Sequence, residues 1–319
     1  MAKPFAVRLR TSGMNLNFRS ARAVALSIAA CAFALVLSAC SPVKLVDRLT
    51  PDDTYVAQEG IAYGADARQK LDVYQPLPAR TVAPGQRPLI VFFYGGTWSS
   101  GDRAMYRFVG EALASQGAIV VIPDYRLSPG VIYPAFVQDS ARAMKWAFDN
   151  AARLGADPKR LYAMGHSSGA YNAAMLALDP RWLGEVGASP GQLAGWIGLA
   201  GPYDFLPLSD PDAQRAFDWP NTPRDSQPVD HVTAASPPAL LMAARNDRVV
   251  DPVRNTAQMA ARLRAAGVRV ETREFDGLGH VTLIGAVAKP IRWLGGPVVP
   301  PILDFVGLAR EGGRSASIQ

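Results

Sequence analysis

From Leu71 onward, short apolar runs rich in β-branched and aromatic residues alternate with longer stretches of helical periodicity. The runs are 71–74, 89–94, 118–122, 160–164, 195–199, 239–243 and 268–275. Two of them, 89–94 (Leu-Ile-Val-Phe-Phe-Tyr) and 118–122 (Ala-Ile-Val-Val-Ile), are continuously apolar, as strands buried on both faces must be. Between the runs, Met105–Gln116 ends at Gly117 and Ala135–Leu154 ends at Gly155, and Pro252–Ala266 opens on proline and ends at Gly267. Proline in the first turn and glycine just past the last are helix boundary signals. Strand–helix alternation predicts an α/β fold, a mostly parallel sheet covered on both faces. Residues 202–237, rich in Pro, Asp and aromatics, break the rhythm and read as a short cap-like insertion within a catalytic domain spanning 61–319.

The N-terminal pattern differs. Residues 1–22 are basic, and Ala23–Leu37 form an apolar run of 15 residues. As a helix that run is roughly 22 Å long, short of a hydrocarbon core of about 30 Å. A basic region, a short apolar region and small residues make a secretory signal, predicted over 1–39. Its end, Leu37-Ser38-Ala39-Cys40, resembles the lipobox of bacterial lipoproteins. That resemblance implies a mature protein beginning at a lipidated Cys40, anchored in the cell envelope, and Ser41 in the next position suits an outer-membrane destination facing the periplasm. Two acyl chains or more are needed for stable anchoring, which a triacylated cysteine meets. Residues 40–60 show little periodicity and read as a tether. The two cysteines are Cys31, inside the signal, and Cys40, so the mature domain is expected to hold no disulfide.

Charge changes the picture less than it promises. The chain of 319 residues carries +6, but residues 1–39 hold five basic residues (Lys3, Arg8, Arg10, Arg19, Arg22) and no acid, leaving +1. A near-neutral domain gives no electrostatic case for nucleic acid. No metal-ligand spacing, dinucleotide fingerprint or phosphate loop is present, so neither metal nor cofactor is expected.

The candidate chemistry begins at Gly165-His166-Ser167-Ser168-Gly169, between the 160–164 run and the small-residue stretch Ala170, Ala173, Ala174, Ala177. G-x-S-x-G between strand and helix is the nucleophile-elbow context, making Ser167 the nucleophile. A serine hydroxyl needs a base, and the histidines are His166, His231 and His280. His166, adjacent to the serine, is directed away from its oxygen. His231 lies in the irregular insertion and reads as a surface residue. His280 follows the last strand on a glycine-rich loop, where the chain order nucleophile–acid–histidine of α/β hydrolases puts the base. The acid should follow the preceding strand. Asp247 is favoured, while Asp251, beside Pro252, remains the rival and suits a helix cap. After the 89–94 run, Gly95-Gly96-Thr97-Trp98 can turn amides toward a substrate. The expected oxyanion donors are the N–H groups of Gly96, Thr97 and Ser168. Trp98, Tyr203, Phe205, Phe217 and Trp219 are candidate pocket-lining aromatics, as readily core residues.

Phe93-Tyr94-Gly95-Gly96-Thr97-Trp98 with Gly101-Asp102 resembles the H-G-G-x-W…G-D segment of carboxylesterase-like α/β hydrolases, including hormone-sensitive-lipase-related, feruloyl-esterase-like and kynurenine-formamidase branches. Asp124-Tyr125-Arg126-Leu127-Ser128-Pro129 and Tyr133-Pro134-Ala135…Asp139 resemble two further motifs of that group. The resemblance covers roughly residues 60–285. It implies an α/β-hydrolase fold and hydrolysis of a small or medium carboxylic ester through an acyl-enzyme. A formamidase- or peptidase-type amide hydrolase is the alternative, and a non-catalytic envelope lipoprotein the second. Tyr94 stands where the family has histidine, so the bond bracing that loop must come from elsewhere.

Overall fold

Why the apolar runs become strands is visible in their burial. In the computed structural model, which describes residues 46–77, 82–290 and 296–308, every residue of β3 (Arg87–Phe93), β4 (Ile119–Pro123), β6 (Gly195–Leu199) and β7 (Ala239–Ala244) is buried. Together with β1 (Tyr55–Ala62), β2 (Lys70–Pro76), β5 (Ala156–His166) and β8 (Val270–Phe275) they form one eight-stranded sheet of order β1-β2-β4-β3-β5-β6-β7-β8. β1 and β2 pair antiparallel, as do β2 and β4, and every pairing from β4 to β8 is parallel. The helices among the described residues include α1 (Arg107–Ala114), α2 (Ala135–Asn150), α3 (Ser168–Leu178), α4 (Pro180–Gly184), α5 (Pro211–Ala216), α6 (Gln258–Ala265), α7 (His280–Gly285) and α8 (Val299–Phe305). This is the α/β-hydrolase fold.

Register places the site. Phe93 pairs with Gly165, His166 with Leu199, and Ala244 with Phe275, so the C-terminal ends of the parallel strands finish nearly level. The chain leaves β3 toward β4 on one side and leaves β5 toward β6 on the other. Where neighbouring strands send their connections apart, a crevice opens at the carboxyl ends, the usual ligand site of open α/β sheets.

Three expectations change. The tether assigned to 40–60 is partly sheet, since β1 begins at Tyr55. Only Tyr55 of that strand is buried, so it carries no hydrophobic alternation, and the ladder to β2 holds it instead. The helix expected from Pro252 starts as a wider turn over Val253–Ala257 and becomes α-helical at Gln258. The helix expected from Met105 starts as a 3-10 turn over Arg103–Tyr106. Residues 202–237, expected as a short cap-like insertion, form α5 and short 3-10 turns. The signal region 1–39, Cys31 and Cys40 lie outside the described residues.

Candidate active site

The elbow follows from two glycines. A β-carbon on Gly165 would lie 2.1 Å from the Gly169 carbonyl oxygen, and one on Gly169 would lie 2.0 Å from that of Phe93. No side chain fits either place, so strand β5 turns into α3 with backbones in contact. Between them Ser167 adopts φ 53, ψ −125, a conformation costing a non-glycine residue roughly 1–3 kcal/mol. Every residue of α3 is buried, its small side chains letting it sit close against the sheet, and its N-terminal dipole points at the serine.

Ser167 Oγ lies 2.9 Å from His280 Nε2, and His280 Nδ1 lies 2.8 Å from Asp247 Oδ2. The other carboxylate oxygen, Asp247 Oδ1, accepts the Val249 N–H at 2.8 Å and the Val250 N–H at 3.0 Å. With a carboxylate as the only acceptor beside it, Nδ1 carries the proton, which leaves Nε2 free to accept from the serine hydroxyl. Burial acts to raise the Asp247 pKa, but the His280 bond and the two amides outweigh it, and the carboxyl titrates below its ordinary range. Asp251 takes no part. Its Oδ1 accepts from the Val253 and Arg254 amides at 2.8 and 3.2 Å, a cap on the turn that leads into α6.

His166 is buried, and its ring lies against that of His280 with centroids 5.0 Å apart. Its Nε2–H donates to the His280 carbonyl at 3.0 Å, and its Nδ1 has no partner. Burial first, and the neighbouring His280 second, push its pKa down to about 3, so the ring is neutral at ordinary pH. His231 is not the surface residue expected. It is half-buried, donating to the Asp225 carbonyl at 2.6 Å and standing 3.7 Å from Asp179, because the Asp179–Arg181–Asp225 ion pairs fold the insertion over it.

The loop after β3 comes within touching distance of the serine: a β-carbon on Gly95 would sit 2.9 Å from Ser167 Cβ. Gly96, Thr97 and Trp98 follow with φ of 135, 51 and 54. The amides of Gly96 and Thr97 donate to no acceptor among the described residues, and Ser168, first residue of α3, has an N–H free of helical bonding.

Tyr94 supplies the brace. Its ring stacks between Tyr106 and Tyr125 (centroids 5.5 and 4.8 Å away), and its hydroxyl donates to Asp124 Oδ1 and accepts from Arg68 Nη2, both at 2.8 Å. Arg68 also donates to the Gly101 carbonyl at 3.0 Å, closing the far end of the loop. Asp124 is ion-paired with Arg103, which reaches Asp72 at 2.8 Å. Asp124, Arg68 and Arg103 were not among the residues expected at the site; the Asp-Tyr-Arg motif that contains Asp124 was the available signal. Of the candidate lining aromatics, Trp98, Tyr203 and Phe217 are core, Phe205 is half-buried and Trp219 is exposed.

Residues 71–263 match the model of the BD-FAE family. The chain is 30% identical over 245 residues to esterase LipC of Mycobacterium tuberculosis, covering 71% of this chain and 60% of LipC. It is 30% identical over 272 residues to carboxylesterase NlhH of the same species, covering 78% of this chain and 81% of NlhH. The native structure of the esterase Est2 of Thermogutta terrifontis superposes with a TM-score of 0.65 at 25% identity, covering 83% of this chain and 98% of that one. The chain thus spans less than two thirds of LipC's length.

Proposed function

We propose a reaction from one premise: the chain belongs to the BD-FAE family of carboxylesterase-like α/β hydrolases. It is a serine esterase that cleaves a small or medium carboxylic ester through an acyl-enzyme. The observation that carries this reading is the unbroken line Asp247–His280–Ser167, with both hydrogen bonds under 3 Å.

His280 Nε2 takes the Ser167 proton as Oγ attacks the ester carbonyl carbon. The imidazolium is stabilised by Asp247, which stays ionised and holds the ring in orientation. The new C–O bond places negative charge on the former carbonyl oxygen. The N–H groups of Gly96, Thr97 and Ser168 face that oxygen, each such donor contributing roughly 3–4 kcal/mol in comparable sites. Collapse expels the alcohol, which takes the proton from His280. Water then repeats the sequence in reverse, with His280 as its base, and releases the acid and Ser167.

Turnover of p-nitrophenyl acetate, butyrate and octanoate tests the reading, run beside an N-formyl aryl amide. Ester hydrolysis that vanishes in Ser167→Ala, His280→Ala and the double variant to a common residual rate is the expected result, because triad members act as a unit. Wild-type kcat in His280→Ala would overturn it, and faster cleavage of the amide would move the reaction to the amidase class. The domain is further proposed to work at the envelope, held by lipid on Cys40, a reading that rests on Leu37-Ser38-Ala39-Cys40.

A further inference from the structure

The oxyanion loop has an unusual backbone. Three successive residues, Gly96, Thr97 and Trp98, have positive φ, and the second and third are a β-branched residue and the largest aromatic. Glycine adopts that region freely, whereas threonine and tryptophan do so only when their surroundings hold them. At Trp98 the surroundings are specific. Its indole N–H donates to Asn172 Oδ1 at 3.1 Å. Asn172 is fully buried on α3, one turn beyond Ser168 and on the same helical face. Its amide donates in turn to Ser140 Oγ at 3.1 Å, and Ser140 donates to the Phe136 carbonyl at 2.8 Å. The Phe136 ring then stacks back on Trp98 with centroids 5.6 Å apart, and Tyr171 and Phe217 meet the indole edge-on at 5.1 and 4.8 Å. The Trp98 carbonyl is also taken, accepting the Ser128 N–H at 2.8 Å.

We propose that Asn172 is a positioning residue for the oxyanion site: by gripping Trp98 from the nucleophile's own helix, it fixes the Gly96 and Thr97 amides relative to Ser167 and Ser168. The inference rests on the esterase reading above. Its physical content is that the donors come from two segments, the β3 loop and the α3 N-terminus, and one side-chain bond ties those segments together. A carboxylate or an aliphatic residue at 172 would not do the same. Leucine accepts nothing, and aspartate loses the donor to Ser140 and buries a charge.

The test uses Asn172→Leu and Trp98→Phe, which remove the acceptor and the donor of the same bond, and their double variant. Each is assayed for kcat and KM on p-nitrophenyl butyrate and on the matching thionoester, whose sulfur accepts hydrogen bonds poorly. Displaced donors depress ester turnover more than thionoester turnover. The expected result is an ester kcat lower by tenfold or more, KM within about twofold, and a kcat/KM ratio of ester to thionoester that falls by a similar factor. Removing one donor outright costs about 10²–10³ in kcat, and displacement costs less. The double variant should be no worse than the poorer single, since both delete one interaction.

A purely structural Asn172 predicts otherwise: any loss would follow the folded fraction, seen by near-ultraviolet circular dichroism, and the ratio would stay at the wild-type value. That outcome overturns the proposal. If Asn172→Leu does not fold, Trp98→Phe reads the same ratio, and an unchanged ratio there is equally fatal. A wild type that cleaves neither substrate would instead overturn the esterase reading itself.

Discussion

His166 makes the protein sensitive to mild acid in a way that can be calculated. Its ring is buried beside His280, with Nε2–H committed to the His280 carbonyl and Nδ1 unpartnered. In the folded protein it titrates at about 3, against about 6.5 in an unfolded chain. The folded pKa is the lower one, so the unfolded state binds the extra proton. Stability is complete above pH 6.5 and drains away as pH falls from there toward 3. Between pH 7.5 and 5 a single such group costs about 2 kcal/mol, at about 1.4 kcal/mol per pH unit below 6.5. His166→Gln keeps a donor for the His280 carbonyl and removes the titration. Urea unfolding at pH 7.5, 6.5, 5.5 and 5.0 should show the wild type losing about 2 kcal/mol more than the variant over that range. Asp247, whose carboxyl stays ionised there, and the other two histidines are common to both proteins and drop out of the difference. Parallel stability profiles for the two proteins would refute the argument.

The acid and its neighbour separate by phenotype. Asp247→Asn should lower kcat by roughly 10⁴ through loss of tautomer control, while Asp251→Asn, which still caps the turn, should keep near-normal kcat; steady-state kinetics on p-nitrophenyl butyrate decides between them. Gly169→Ala should abolish folded, soluble protein, because the new β-carbon would meet the Phe93 carbonyl at 2.0 Å, whereas Gly184→Ala, with nothing within 4 Å, should be neutral or stabilising by under about 1 kcal/mol; circular dichroism and thermal midpoints check both. Cys40→Ser should abolish metabolic incorporation of an alkyne fatty acid and release the domain from the membrane fraction, and equal labelling of wild type and variant would remove Cys40 from the account.

The central strands β3, β4, β6 and β7 were readable because burial on both faces leaves an uninterrupted apolar signature. β1 was not, and the reason is its position. As an edge strand it buries only Tyr55, and its place is set by backbone bonds to β2 and by the Gly60 N–H donating to Asp72 Oδ1 at 2.8 Å, interactions with no side-chain period. The start of the helix after Pro252 was obscured for a related reason. Val253 is 73% exposed, and the turn is organised by the Asp251 carboxylate rather than by an apolar face.

The line Ser167–His280–Asp247 was legible because each member sits just after a strand, and a parallel sheet brings strand ends together whatever their separation in sequence. The supports of the loop were not, because no comparable rule brings together residues on unrelated elements. Tyr94 meets Arg68 and Asp124 from 26 and 30 positions away, and Trp98 meets Asn172 from 74. Nothing in local sequence marks Arg68 or Asn172. Yet the departure at Tyr94 pointed to where support was needed. The phenol hydroxyl is held 2.8 Å from a buried carboxylate, and the ring fills the space between Tyr106 and Tyr125. A β-carbon on Gly101 would stand only 2.6 Å from that same ring and 3.0 Å from the Gly95 carbonyl oxygen, and the residue's φ is 111, so Gly101 has to remain glycine. Substituting histidine at 94 would remove the phenol's bonds to Asp124 and Arg68, while Arg68 would keep the Tyr125 and Gly101 carbonyls as partners. The brace at Tyr94 and the turn at Gly101 meet in Arg68, which bonds to both, so the loop is held at each end by one side chain.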